Sequence, residues 1–188
     1  MKKLNLLAGI FALFLISCSG EDDTEYNEQQ ESDLVEVLSQ DKMLTKITEL
    51  ENQISASQAP DEELLKEAIT QFQDYANVYP EAPGAADYLL KASDFSLAIG
   101  LPEKSVIILN QIITSYPDYD RMEDVMYVKA SHLDLDLRDT AAAKAAYQDF
   151  IDAYPESEMR DDAENRIENI SLSIEELAEK FIKELEAQ

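Results

Sequence analysis

The sequence predicts an all-α solenoid: three to four helical hairpins stacked in chain order and closed by a C-terminal capping helix. Three observations predict it. Tyr-Pro recurs as Tyr79-Pro80, Tyr116-Pro117 and Tyr154-Pro155, 37 and then 38 residues apart, and a nearly fixed period of this size marks stacked supersecondary units. Steps of four, three and four residues lead up to each dipeptide: Ala68, Phe72, Tyr75, Tyr79; Ser105, Leu109, Ile112, Tyr116; Ala143, Tyr147, Phe150, Tyr154. Such steps trace one face of an α-helix. From Asp33 onward there is also no run of alternating β-branched and polar residues, the pattern of a half-buried strand.

Taken from the N-terminus, residues 1–17 read as a lipoprotein signal peptide. Lys2 and Lys3 supply its positive end, and Leu6 to Ile16 is an apolar run broken only by Gly9. Eleven helical residues rise ~16 Å, about half of the ~30 Å hydrocarbon thickness, so a signal core fits better than a membrane span. Leu15-Ile16-Ser17-Cys18 resembles the bacterial lipobox, which implies lipidation of Cys18 and a stable hold on the membrane through its acyl chains. The competing account makes Cys18 one more apolar leader residue. As the sole cysteine, it leaves no material for a disulfide framework.

Residues 18–32 follow as an acidic tether rich in Glu and Gln. Ser19 is not the Asp that resembles an inner-membrane retention signal, so an outer-membrane anchor is expected. Ser19-Gly20-Glu21-Asp22-Asp23 also resembles the surface-export signal of Bacteroidetes lipoproteins, with a plain acidic linker as the alternative. The membrane face, periplasmic or external, stays open.

The remaining residues, 33–188, form the expected helical repeat domain. Leu34, Leu38, Ile47, Leu50 and Ile54 suggest one or two amphipathic helices. Pro60 with Asp61, Glu62 and Glu63 suits the start of a helix running to Val78. The small residue that opens each four-three-four series lets a neighbouring helix approach, the large ones fill the resulting groove, and proline stops the helix. Downstream of the dipeptides, Tyr88 to Ser93 matches Met126 to Ser131 at an offset of 38. Each period therefore holds two helices. At the far end Ser173 and Glu176 form a capping box, and Ile174, Leu177, Ala178, Phe181, Ile182 and Leu185 make an apolar stripe. Glu176 with Lys180 and Glu179 with Lys183 have the i, i+4 spacing of weak helix ion pairs.

Tyr79 through Lys91 resembles tetratricopeptide repeats (TPR), of the kind found in BamD-like outer-membrane-assembly lipoproteins and in periplasmic TPR proteins of the Tol-Pal system. In that resemblance Ser93 and Ser131 occupy the small position of the first helix. Ala68, Ser105 and Ala143 match the small position of the second helix, Phe72, Leu109 and Tyr147 its large position, and Pro80, Pro117 and Pro155 the terminal proline. The chain departs from the family in a period longer than the usual 34, a missing first-helix aromatic, and the less typical Ser105 and Leu109.

Composition narrows the function. Fifteen Lys and Arg against forty Asp and Glu give a net charge of −25, which repels a polyanion and argues against a nucleic-acid partner. Apolar residues at 45% are enough for a core, so the acidity belongs to the surface. Four glycines, one His, one Cys and no Trp leave no phosphate loop, no His/Cys metal site and no Cys–His nucleophile; neither cofactor nor metal is expected. His132 has no nucleophile placed beside it and reads as a groove histidine without chemistry. Asp134 to Asp139 starts like a calcium loop, but Arg138 and Asp139 stand where that loop needs an oxygen ligand and a glycine, so an inter-helix turn is expected. Tyr75, Tyr79, Tyr116 and Tyr154 are assigned to packing rather than to sugar stacking. By the resemblance, partner-facing positions are Leu90, Asp94 and Leu97 in one unit and Val128, His132 and Leu135 in the next. These form an apolar strip with an acidic edge, open to a peptide unless the N-terminal helix fills it. The sequence thus implies a non-enzymatic, lipid-anchored scaffold for another envelope protein, with a small-molecule or glycan-binding surface lipoprotein as the alternative.

Overall fold

A computed structural model describes residues 28–186, and within them the chain is all-helical. The helices are α1 (Glu28–Ala56), α2 (Glu62–Val78), α3 (Ala85–Ala98), α4 (Pro102–Ser115), α5 (Met122–Ser131), α6 (Thr140–Ala153), α7 (Arg160–Asn169) and α8 (Ile174–Glu186). The signal peptide, Cys18 and most of the tether lie outside the described residues. One helix stands where one or two were expected, and it begins at Glu28, inside the stretch read as a tether. No helix among the described residues is long and apolar enough to cross a membrane.

Consecutive helices form three hairpins, α1–α2, α3–α4 and α5–α6, each packed on the helix that follows it; α7 packs on α6, and α8 is tied to α7 through Lys180. The first helices make one layer, tied sideways by Lys91 of α3 to Glu51 of α1 and by Arg166 of α7 to Asp134, 3.4 Å. The second helices make the other, in which Gln111 of α4 donates to Asn77 of α2 at 2.8 Å.

The Tyr-Pro dipeptides sit at the seams between hairpins, and the same geometry occurs three times. Tyr79, Tyr116 and Tyr154 are the C-caps of α2, α4 and α6, with φ of −124°, −131° and −129°. A residue before proline is pushed out of the α region by the proline ring, so each helix stops one residue ahead of its proline. Each tyrosine N–H still donates back to the helix, and each tyrosine C=O accepts from the N–H three residues on, in Ala82, Tyr119 and Ser157. A second turn closes from Ala85, Met122 and Arg160 onto those same residues. Two successive turns reverse the chain and begin the next hairpin.

The core lies between the layers. Ala68, Phe72, Leu109, Ile112, Ala143, Tyr147 and Phe150 are wholly buried, Tyr75 nearly so. Tyr79, Tyr116 and Tyr154 are half-buried against it, while Pro80, Pro117 and Pro155 lie exposed. Alanine at 68 and 143 and serine at 105 allow close helix approach, and rings fill the space between: Phe72 stacks on Tyr88 at 5.4 Å and meets Phe95 at 5.9 Å. Ile47 and Leu50 bring α1 into the same core.

The unequal spacings, 37 and then 38, have a local cause. α3 ends in a glycine cap: Gly100 takes φ +75°, its N–H donates to Leu97 and the Leu101 N–H to Ser96. The corresponding helix of the next unit runs from α5 into a π-helical turn, His132–Asp136, in which the Leu137 N–H reaches His132. A π-turn accommodates one extra residue without breaking the helix. Before it the two units match at an offset of 37, with buried Ala85 and Ser93 opposite buried Met122 and Ala130; beyond it Gly100 corresponds to Arg138, which takes φ +54°. The uniform offset of 38 expected from Tyr88 and Met126 is therefore corrected: Ser93 is equivalent to Ala130, not to Ser131.

At the C-terminus the capping box forms in both directions. The Ser173 N–H donates to Glu176 at 2.8 Å and the Glu176 N–H to Ser173 Oγ at 3.2 Å. The Ser173 backbone N–H, and after it the Ser173 hydroxyl, hold the Glu176 carboxyl below its ordinary range. The ion pairs differ from the expected ones. Lys180 reaches back to Glu168 and Asn169 of α7, at 3.0 and 2.9 Å, and Glu179 and Lys183 do not pair among the described residues.

Candidate docking face

The first helices carry an exposed ridge. Asp87, Lys91, Asp94 and Ala98 of α3 follow steps of four, three and four, and all are exposed. At the corrected offset of 37, Asp124, Val128 and Ser131 of α5 stand at the equivalent positions, all three half-buried and the Ser131 hydroxyl 3.4 Å from that of Tyr147, and Leu135, 55% exposed, follows across the π-turn. Asp162, Arg166 and Asn169 of α7 extend it at a further 38 residues.

The six positions assigned to a partner groove divide on this geometry. Asp94 and Leu135 are exposed, and Leu97 and Val128 are half-buried. Leu90 and His132 are instead buried, at 5% and 7% exposure. The error was one of register: before the π-turn the offset is 37, so Val128 is equivalent to exposed Lys91 rather than to buried Leu90, and half-buried Ser131, not buried His132, is equivalent to exposed Asp94. Periodicity alone could not reveal this, because nothing in the letters marks where the 38th residue is inserted.

Most cations on the ridge are neutralised within the fold. Lys91 pairs with Glu51, Arg121 with Asp124 at 3.1 Å, and Arg166 with Asp134 and Asp162, each at 3.4 Å. Two tyrosines tie adjacent units together by donating to carboxylates, Tyr119 to Asp87 at 2.6 Å and Tyr127 to Asp162. Desolvation and the carboxylate partner push both phenols up to about 12, so they remain donors throughout the physiological range. In the third seam Ser157 donates to Glu123 at 2.5 Å in the same fashion. Asp94, by contrast, makes no hydrogen bond or ion pair among the described residues. Desolvation lifts its carboxyl above the ordinary range, against the opposing pull of Arg121 and His132.

Beneath the ridge lies a polar line that the sequence did not disclose as a unit. Ser93 of α3 lies 2.8 Å from Ser105 of α4, and Ser105 lies 3.0 Å from Nδ1 of His132. A serine–histidine contact raises the question of nucleophilic chemistry, but Ser93 and Ser105 are both 0% exposed and no substrate reaches either hydroxyl. The three groups instead satisfy one another in the core, where a lone hydroxyl or imidazole would be costly.

Asp134 to Asp139 forms the π-turn and a loop. Asp134 receives Arg166, and Asp139 caps α6 by accepting from the Ala142 N–H at 3.0 Å. No cluster of three metal-ligating side chains occurs among the described residues.

Burial holds His132 below the ordinary imidazole value of 6.5, although Asp136 and Asp94 draw it back up. The folded state thus binds fewer protons than the unfolded chain as pH falls below about 6.5. The contribution of neutral His132 is complete above that pH and is lost progressively below it. A thermal melt at pH 5.5 should lie below one at pH 7.5, and His132→Asn should narrow the gap; an unchanged gap would assign the acid sensitivity elsewhere.

A family model, the tetratricopeptide repeat, matches residues 127–157. The match opens within α5, spans the π-turn and α6, and closes just beyond the third Tyr-Pro seam. The matched hairpin repeats in the preceding units with the same seam hydrogen bonds, so the stack is a TPR-like helical repeat. No curated protein and no solved structure matches the chain.

Proposed function

We propose that the chain is a non-enzymatic TPR scaffold that docks a segment of another protein along its first-helix ridge, between Asp94 and Leu135. The observation that carries it is exposed Leu135, with half-buried Leu97 and Val128 on the same first-helix face and exposed Asp94, which has no hydrogen bond or ion pair among the described residues. Stacked hairpins present such elongated faces, and TPR proteins use them for recognition. The lipobox-like Cys18 supports lipid anchoring in a bacterial envelope, on the outer membrane. The resemblance to BamD-like and Tol-Pal-associated proteins supports a role in outer-membrane protein assembly or envelope maintenance, with an envelope protein as partner.

A photo-crosslinking amino acid in place of Ser131 should yield a discrete adduct with an envelope protein, and the same group in place of Ile107, exposed on α4, should not. Leu135→Glu should remove the adduct while leaving the helical circular dichroism intact. An adduct that forms equally from Ile107, or survives Leu135→Glu, would discard the ridge. Cys18→Ser should move the protein from the membrane fraction to the soluble one; retention in the membrane would discard the lipid anchor.

A further inference from the structure

The geometry of α8 points to a second docking surface, distinct from the ridge, whose occupant we infer to be a basic amphipathic helix of a partner protein. The expected closing helix leaves part of its stripe exposed: Ala178, Ile182 and Leu185. Leu177 and Lys180 are partly buried, and Lys180 bonds Glu168 and Asn169 of α7. Ala178, Ile182 and Leu185, related by steps of four and three, are exposed, Ile182 at 56% and Leu185 at 73%. An amphipathic helix with exposed apolar residues along one strip offers that strip to another helix.

Charge selects the occupant. Glu175, Glu179 and Glu186 run beside the open strip at steps of four and seven, all are exposed, and none forms an ion pair among the described residues. A second copy would bring two such glutamate edges together between chains that each carry −25. An anionic lipid surface meets the same repulsion. A helix with leucine-type side chains on one face and Lys or Arg along its border satisfies both the strip and the edge.

The probe is a fluorescein-labelled 18-residue peptide of Leu, Ala, Lys and Arg arranged as an amphipathic helix, titrated into the full chain and followed by anisotropy. A scrambled peptide of the same composition should bind at least ~10-fold more weakly. Ile182→Ser with Leu185→Ser should weaken binding at least ~10-fold, and so should the triple change Glu175→Gln, Glu179→Gln, Glu186→Gln, with helical circular dichroism unchanged in both. Leu135→Glu, on the ridge, should leave it unchanged, which separates this surface from the proposed function. Three results would overturn the inference: equal affinity for the scrambled peptide, which would mean attraction to bulk charge only; a dimer in sedimentation that the Ile182→Ser and Leu185→Ser variant dissolves; or tighter binding to phosphatidylglycerol vesicles than to the peptide, lost in that variant.

Discussion

Phe72→Ala is expected to cost about 3 to 5 kcal/mol, the range for truncating a buried phenylalanine. The ring is wholly buried in α2, stacks on Tyr88 and meets Phe95, both from α3. Its removal therefore opens a cavity at the joint between the first two hairpins rather than inside one of them. Small domains hold about 5 to 15 kcal/mol in total, so the variant should sit near the edge of folding. Urea denaturation would read the loss directly, and Phe72→Leu, which retains most of the volume, should cost far less. Because Ile47 and Leu50 enter the same cluster, loosening α2 should also release α1. Hydrogen exchange should show α1 and α2 losing protection together while α6 keeps it, as expected when stability in a repeat is shared mainly between neighbours. A loss below 1 kcal/mol would mean that the Tyr88 and Phe95 contacts contribute little.

The hairpins and their seams were legible because each rests on letters with a local physical consequence. Tyr-Pro excludes the helical conformation at the tyrosine, and Ala68, Phe72 and Tyr75 share a face by periodicity alone. The capping box at Ser173 was readable for the same reason: both partners lie within one turn. What escaped was relational. The site of the 38th residue depends on whether the helix takes a π-turn at His132 or a longer loop after it, and the sequence 132–139 is compatible with either. One residue of register then decides whether Leu90 or Lys91 faces outward. α8 illustrates the same limit, since a strong stripe shows that a helix has an apolar face but not whether another helix covers it. The serine line was hidden because Ser93, Ser105 and His132 lie on three different helical segments, and only packing brings them together.

That line yields the second large effect. Ser105→Ala should destabilise the fold by about 2 kcal/mol, within the ~1 to 3 kcal/mol expected when buried polar groups lose their partner. The steric part of the change is negligible, because the equivalent residues of the adjoining units, Ala68 and Ala143, are already alanine and equally buried. The cost is therefore polar: Ser105 stands between Ser93 Oγ and His132 Nδ1, and its removal deprives both. Whichever imidazole nitrogen carries the proton, the Ser105 hydroxyl is the one group in contact with both others. Ser93→Ala should cost less, about 1 kcal/mol, since the bond from Ser105 to His132 survives. The two changes together should cost less than their sum, because once Ser105 is gone Ser93 has already lost its partner on that side. Thermal and urea unfolding of the three variants at pH 7.5, where His132 is neutral, would measure the cycle. Strict additivity, or a neutral Ser105→Ala, would show that the three groups do not act as one network.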